Sequence, residues 1–231
     1  YRLINAEGDA LPGLIVDRFG DTLVIQPNAV WLEDRLDMLC AALTAATGAT
    51  TLVKNGASRA RALEGLPEET VILSGQIDGP LPVPMNGATY LADLIGGQKT
   101  GLYYDQRPNH TFVAGLSKDA RVLDMFAHVG GFGLAALAGG AKDVLAVDAS
   151  VPALALAEGG ASAMGAADRF SVRQGDAFDT LAALSVEAAE FDVVVSDPPA
   201  FAPSKSAMTA GLRAYERIAR LSASVVAPGG I

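Results

Sequence analysis

Four aspartates, Asp124, Asp148, Asp176 and Asp197, each stand at or just beyond the end of a short apolar run, and the first opens the stretch Asp124-Met-Phe-Ala-His-Val-Gly130-Gly131-Phe132-Gly133. Glycines let a backbone turn tightly and come close to a ligand at a helix N-terminus. Asp148 lies 18 residues beyond Gly130, near the roughly 20-residue offset at which an acid accepts hydrogen bonds from a ribose. Loop and acid together predict a bound nucleoside. Its kind stays open on these grounds, because Gly131-Phe-Gly133-Leu-Ala-Ala136 also fits the dinucleotide pattern G-x-G-x-x-A. An aspartate that starts a loop can simply cap the next helix, and for Asp124 and Asp176 that plainer role weighs as much as ligand contact. Asp197 differs, since Pro198 and Pro199 follow it directly. Two prolines fix the chain direction and remove two donors, leaving a rigid loop whose carbonyls are free to meet a planar group.

These residues need elements to position them. From residue 121 onward strand-like runs at 122–126, 144–147, 170–173 and 193–195 alternate with alanine-rich helical stretches at 131–138, 152–164, 178–188 and 210–226. Such alternation predicts parallel strands with crossover helices on both faces, a doubly wound α/β sheet. It would bring the four aspartates to one edge, where such sheets bind ligands.

The first third of the chain reads differently. Runs at 14–19 and 22–26, joined by Gly20-Asp21, predict a hairpin with a type II′ turn. Leu32, Leu36, Leu39 and Leu43 predict an amphipathic helix over 31–46, and two further strands follow at 51–54 and 70–73. The result is a small α+β domain of order β-β-α-β-β over 1–78. Gly79-Pro-Leu-Pro-Val-Pro84 favours extended chain outside a sheet interior, so a boundary falls there, and Asn86-Gly87 predicts a type I′ reversal. Residues 79–120 then form a linker, a hairpin and a covering segment, and 121–231 the doubly wound domain.

Composition narrows the class. With 231 residues, half of them apolar, the chain can build a sizeable core. No run is long and apolar enough for a membrane span, and the first residues lack a signal-peptide layout, so the reading is a soluble, cytoplasmic chain without a membrane partner. Cys40 is the one cysteine, which excludes an internal disulfide, and with only His110 and His128 besides, a structural metal is not expected. Cys40 reads as a small apolar filler. A net charge of -9 opposes non-specific binding to phosphate. Lys205, Arg213, Arg217 and Arg220, against Glu216 alone, give residues 200–220 a local net of +3. The three arginines, spaced four and three apart, share one helix face and are candidate RNA contacts, although a solvated face has the same pattern.

The strings Val122-Leu-Asp-Met-Phe-Ala-His-Val-Gly-Gly-Phe-Gly133, Val147-Asp148, Gly175-Asp176-Ala-Phe and Asp197-Pro-Pro-Ala-Phe201 resemble the motif series of class I S-adenosylmethionine-dependent methyltransferases. They are particularly similar to the bacterial large-subunit ribosomal RNA cytosine-C5 methyltransferases. Gly96-Gly-Gln-Lys-Thr-Gly-Leu-Tyr-Tyr-Asp-Gln-Arg107 resembles that family's cofactor-covering segment, and Gly8-Asp-Ala-Leu-Pro-Gly-Leu-Ile-Val-Asp-Arg18 the start of its central domain. The resemblance implies S-adenosyl-L-methionine as cofactor and RNA as partner. It places the loop from Phe126 through Gly130 and Gly131 along the methionine part, Asp148 at the ribose, and Asp176 at the adenine amino group with Ala177 or Phe178 against the ring, and it counts Asp124, Phe132 and Asp197 among the cofactor contacts. Lys99, Thr100, Asp105 and Arg107 would close the pocket. Asp197, Pro198 and Pro199 would hold a flipped cytosine, Asp197 bonding near N3 while a cysteine thiolate adds to C6.

The resemblance also implies an RNA-binding PUA domain before Tyr1, and the cysteine nucleophile after a fifth strand. Tyr1 is not a start methionine and Ala227-Pro-Gly-Gly-Ile231 resembles a loop entering another strand, so the segment reads as an internal piece whose sheet continues. Cys40 lies in the wrong domain to act as that nucleophile. Three rivals remain. An amino-group methyltransferase places an aromatic directly after the prolines, where this chain has Ala200 before Phe201. An NAD-dependent oxidoreductase explains Gly131 to Ala136 and Asp148 but gives Asp197-Pro-Pro no purpose. A non-catalytic RNA-binding module is the third. The oligomeric state is open, a homodimer included.

Overall fold

A computed structural model describes residues 1–97 and 101–231. Lys99 and Thr100, expected to close over a cofactor, lie outside the described residues. The chain divides into two compact units, one formed by Tyr1–Val83 with Ala92–Tyr104 and the other by Pro84–Leu91 with Asp105–Ile231.

In the first unit, strands β1 (Arg2–Asn5), β2 (Leu14–Phe19) and β3 (Thr22–Pro27) precede helices α1 (Val30–Glu33) and α2 (Leu36–Thr47), followed by β4 (Thr51–Asn55), α3 (Arg59–Leu63) and β5 (Thr70–Ser74). The sheet runs β1-β2-β3-β4-β5, with β3 and β4 parallel and the other neighbours antiparallel. Phe19 pairs with Thr22 across the expected two-residue turn, and Gly20 takes φ 59, the conformation a type II′ turn asks of its first residue. The leucine stripe is present, but the helix is broken at Asp34–Arg35. Arg35 Nη1 donates to the Trp31 carbonyl, the acceptor that the Arg35 N–H would use in a continuous helix, and that N–H turns to Leu32 O instead. Leu32 and Leu43 reach the core beneath β2, β3 and β4, with Leu39 and Cys40 against it. Burial pushes the Cys40 thiol up, with Asp37 adding to it, which keeps it unreactive.

Strand β1 and helix α3 have no counterpart in the sequence pattern. α3 is short, and its main task is visible only in three dimensions: fully buried Arg61 donates to Glu33 Oε2 at 2.8 Å and to the carbonyls of Pro27 and Pro67. Lys54, also buried, reaches Glu33 and Glu69 at 2.9 and 2.8 Å. A buried charge is tolerated only when paired and hydrogen-bonded in this way.

Strands β6 (Leu81–Met85) and β7 (Ala88–Ala92) form a two-stranded ribbon. Pro82 and Pro84 face outward while Val83 and Met85 are buried, so the missing donors cost no ladder bond in a sheet interior. Asn86 and Gly87 both have positive φ, 54 and 77, as a type I′ turn requires.

The second unit continues with α4 (Arg107–Leu116), β8 (Arg121–Met125), α5 (Gly131–Ala138), β9 (Asp143–Asp148), α6 (Val151–Ala163), β10 (Phe170–Gln174), α7 (Ala177–Val186), β11 (Val193–Ser196) and α8 (Met208–Ala223). All four strands are parallel, in the order β10-β9-β8-β11. Leu123, Met125 and Val147 pack with Leu181, Leu184 and Ile218 of α7 and α8, while α5 and α6 contact β8, β9 and β10. Ile231 exchanges ladder bonds with Asp192 and Val194. Among the described residues no helix is long and apolar enough to cross a membrane.

Candidate functional site

In this sheet the chain leaves β8, adds β9 and β10 on one side, then returns to lay β11 on the other. Strand order therefore reverses between β8 and β11, and the space beyond their carboxyl ends is where sheets of this kind hold a ligand in a crevice. Asp148 is the last residue of β9, Asp197 follows the last residue of β11, and Asp176 stands two residues past β10. Asp124 differs from the expectation. It lies within β8, fully buried, with Oδ2 accepting from Gly133 N–H at 2.7 Å and Oδ1 without a hydrogen-bond partner among the described residues.

Phe126 was expected to end the first strand but takes φ 61, and His128 takes φ 50, so the chain turns out of β8 through left-handed residues. A bulky residue there is strained, by about 1–3 kcal/mol, and persists only where its surroundings hold it. Asp148 does much of that holding: Oδ2 accepts from His128 N–H at 2.8 Å and Oδ1 from Ser150 N–H at 2.8 Å. Each carboxylate oxygen can accept a second bond, so both remain available to ribose hydroxyls. Asp176 caps α7, Oδ1 accepting from Phe178 and Asp179 N–H, while its Oδ2 takes no hydrogen bond found among the described residues. Ala177 is buried and Phe178 half-buried beside it.

The glycine loop is backed by two residues that the sequence pattern did not single out. Tyr90, on β7, donates its hydroxyl to Gly131 O at 3.0 Å. His110, on α4, stands edge-on to Phe132 at 4.6 Å, and its Nε2 is 2.9 Å from where a β-carbon on Gly131 would lie. Burial pulls the imidazole down to about 4, outweighing the raising effect of Asp105, so it is neutral. His110 was one of two histidines in the chain, which was the only signal available. Its position became legible only with α4, hidden in a stretch read as linker.

Burial pushes Asp124 up to about 7; Gly133 N–H opposes the rise, and the charges of Asp148 and Asp197 add to it. Asp197 is raised too, by desolvation first and by Asp105 second. Asp124 therefore feels the charges of Asp148 and Asp197, and Asp197 that of Asp105, which makes this end of the sheet acidic. Arg107, the first residue of α4, is exposed, and its carbonyl accepts from Asn86 Nδ2.

The candidate RNA contacts separate. Lys205 and the three arginines are exposed, yet the Arg217 guanidinium lies 4.8 Å over the Phe178 ring and Arg220 is paired to Glu216 at 2.6 Å.

A parallel sheet with this strand order, its second strand ending on an acid, defines a doubly wound α/β protein. The family model for S-adenosylmethionine-dependent methyltransferases matches residues 33–231, and the chain belongs to that family. Ribosomal RNA large subunit methyltransferase I of Aeromonas salmonicida is 37% identical over 234 residues, covering 100% of this chain and 59% of that protein. Among solved structures, one from Streptococcus mutans described as a SAM-dependent methyltransferase has a TM-score of 0.82 at 23% identity, covering 100% of this chain and 58% of that one. A methyltransferase complexed with SAH gives 0.83 at 23% identity, covering 100% and 59%. These likenesses are in fold. The chain spans about three-fifths of the length of the curated relatives it matches.

The crevice residues fit the family's cofactor. Asp124 Oδ1 is a buried oxygen without a hydrogen-bond partner among the described residues, Gly131 leaves no room for a side chain, and a cluster of carboxylates suits a ligand carrying a sulfonium and an ammonium group.

Proposed function

We propose that the second unit binds S-adenosylmethionine in the crevice between β8 and β11, and that the protein transfers its methyl group to large-subunit ribosomal RNA, at C5 of a cytosine. The observation that carries the cofactor assignment is the carboxylate cluster of Asp105, Asp124, Asp148 and Asp197 at the point where strand order reverses. Gly130, Gly131 and Phe132 lie along the methionine part, Asp148 accepts from the ribose, and Asp176 Oδ2 accepts from the adenine amino group beside Ala177. Arg107 can hold the cofactor's carboxylate through two parallel bonds. When bound, the cofactor supplies a methyl group on a cationic sulfur.

Support for the RNA substrate comes from the relatives' name and from the basic residues Lys205, Arg213, Arg217 and Arg220. A base enters such a site flipped from its stack, at a cost of a few kcal/mol. Asp197, with its proton affinity raised, can hold a proton against N3 of cytosine and so stabilise charge developing on the ring. Pro198 and Pro199 keep the carbonyls beside it rigid. Addition to C6 requires a thiolate, and Cys40, the one cysteine of this sequence, sits on α2 of the first unit with its thiol pushed up. No residue of the sequence is given that role.

The position of Phe201 favours carbon over amino-group methylation. Its ring lies against Phe126, Phe178 and Tyr215, so it is occupied in packing and not free to stack on a target base.

Calorimetry with S-adenosylmethionine and NAD, on the chain and on Asp148→Ala, tests the cofactor assignment. Binding of the first only, weakened by about 1–3 kcal/mol in the variant, is expected; preference for NAD refutes it. Nucleoside analysis of ribosomal RNA methylated by the full-length protein should give 5-methylcytidine, and an N-methylated base would refute the finer assignment.

A further inference from the structure

The loop after Asp197 is clamped to α8. A β-carbon on Gly211 would lie 2.7 Å from Ala202 Cβ and 2.9 Å from Phe201 O, so the loop backbone sits directly on a glycine. One turn further, Tyr215 Oη accepts from Phe201 N–H at 3.2 Å, with the two ring centroids 4.8 Å apart. On its other side the Phe201 ring is 5.8 Å from Phe178 and 6.4 Å from Phe126. Phe126 is the strained first residue after β8, and Phe178 lies in the first turn of α7, next to the Asp176 cap. Phe201 thus touches three elements, two of which border the proposed cofactor site.

We infer that Phe201 and Tyr215 are positioning residues that couple occupancy of the cofactor pocket to the order of the Asp197-Pro198-Pro199 loop. This rests on the cofactor assignment above. A nucleoside lying against the Phe126 and Phe178 side restricts both rings. Restricted rings leave Phe201 one seat, and the Tyr215 hydroxyl fixes its backbone in that seat. The target-base site is then ordered before the base arrives, so the second ligand meets a loop whose ordering has already been carried out. The Arg217 guanidinium over Phe178 belongs to the same assembly and seats α8 on α7.

The Phe201 amide reports this coupling, because it is the donor to Tyr215 and lies at the surface. Its hydrogen exchange, measured by NMR with and without SAH, should slow by about fivefold or more on binding in the wild-type chain. In Tyr215→Phe the slowing should vanish while the SAH affinity from calorimetry stays within about twofold. Leu212→Ala, on the exposed side of the same helix, should keep the slowing. SAH binding that leaves wild-type exchange at Phe201 unchanged overturns the coupling while sparing the cofactor assignment, and it needs no variant to fold. Equal slowing in Tyr215→Phe overturns the role of its hydroxyl. Failure of SAH to bind the wild type removes the cofactor assignment and the coupling together.

Discussion

Asp124 Oδ2 accepts a hydrogen bond from Gly133 N–H at 2.7 Å, while Oδ1 of the same buried carboxyl accepts none among the described residues. One oxygen ties β8 to the first turn of α5; the other is enclosed without a hydrogen-bond partner among the described residues. Burial first, then the charges of Asp148 and Asp197, push this carboxyl up to about 7. A cationic ligand prefers the ionised form, so affinity for S-adenosylmethionine should rise as pH goes from 6 to 8, by up to about tenfold, with proton release on binding. SAH, which lacks the sulfonium, should respond far less, and Asp124→Asn should flatten the profile. Calorimetry across this range checks all three.

The same group sets a stability trend of opposite sign. Its folded value lies above the unfolded one, so its contribution is fully present below about pH 4 and is lost as pH rises through about 7. Asp124→Asn should therefore gain thermal stability relative to wild type at pH 8 and little at pH 4. A constant difference across pH would show that Asp124 ionises normally.

Gly131 and His110 are predicted to be coupled. An alanine at 131 meets the imidazole at 2.9 Å from its Nε2, so Gly131→Ala should cost about 1–3 kcal/mol through overpacking. Adding His110→Ala should recover part of that loss, giving a negative interaction energy in a double-mutant cycle. Denaturant unfolding of the four proteins measures it; strict additivity would separate the two residues.

The extent to which this arrangement was legible beforehand follows the range of the interactions. The segment 131–138 was recognisable as a helix and is α5 to the residue, because glycines and alanines mark its start and body locally. The two tight hairpin turns were equally legible, since positive φ at Gly20, Asn86 and Gly87 is a property of the residues themselves. Helix α4 was not, because it lies in a stretch that reads as linker and covering segment, and its meaning comes from His110 meeting a loop 21 residues on. The break at Asp34–Arg35 was hidden for a similar reason: a leucine stripe says which face is buried, not that an arginine will take a backbone acceptor. Of the candidate site, the aspartates could be found from chain pattern; Tyr90 and Tyr215, which act by reaching another element, could not.

Arg61 should be the most sensitive position of the first unit. Its guanidinium satisfies Glu33 and the carbonyls of Pro27 and Pro67 with no exposure to solvent. Arg61→Ala leaves these acceptors buried and should destabilise by about 3–5 kcal/mol. Arg61→Lys should recover only part, because a single ammonium cannot reproduce the fork. Chemical denaturation resolves the series.

Arg213 and Arg220 allow a test of RNA contact. Arg220 is engaged with Glu216, whereas Arg213 has no ion pair among the described residues. Arg213→Ala should weaken RNA binding and reduce the salt dependence by about one phosphate contact, with a smaller effect for Arg220→Ala. Equal salt slopes in wild type and Arg213→Ala would remove this helix face from the interface.

The crevice itself is tested most directly by a crystal structure of the chain soaked with SAH. The expected result is an adenosyl group beyond the carboxyl ends of β8 and β11, its ribose hydroxyls on Asp148 and its amino group on Asp176. A nucleoside bound elsewhere, or an empty crevice at saturating ligand, would contradict the assignment.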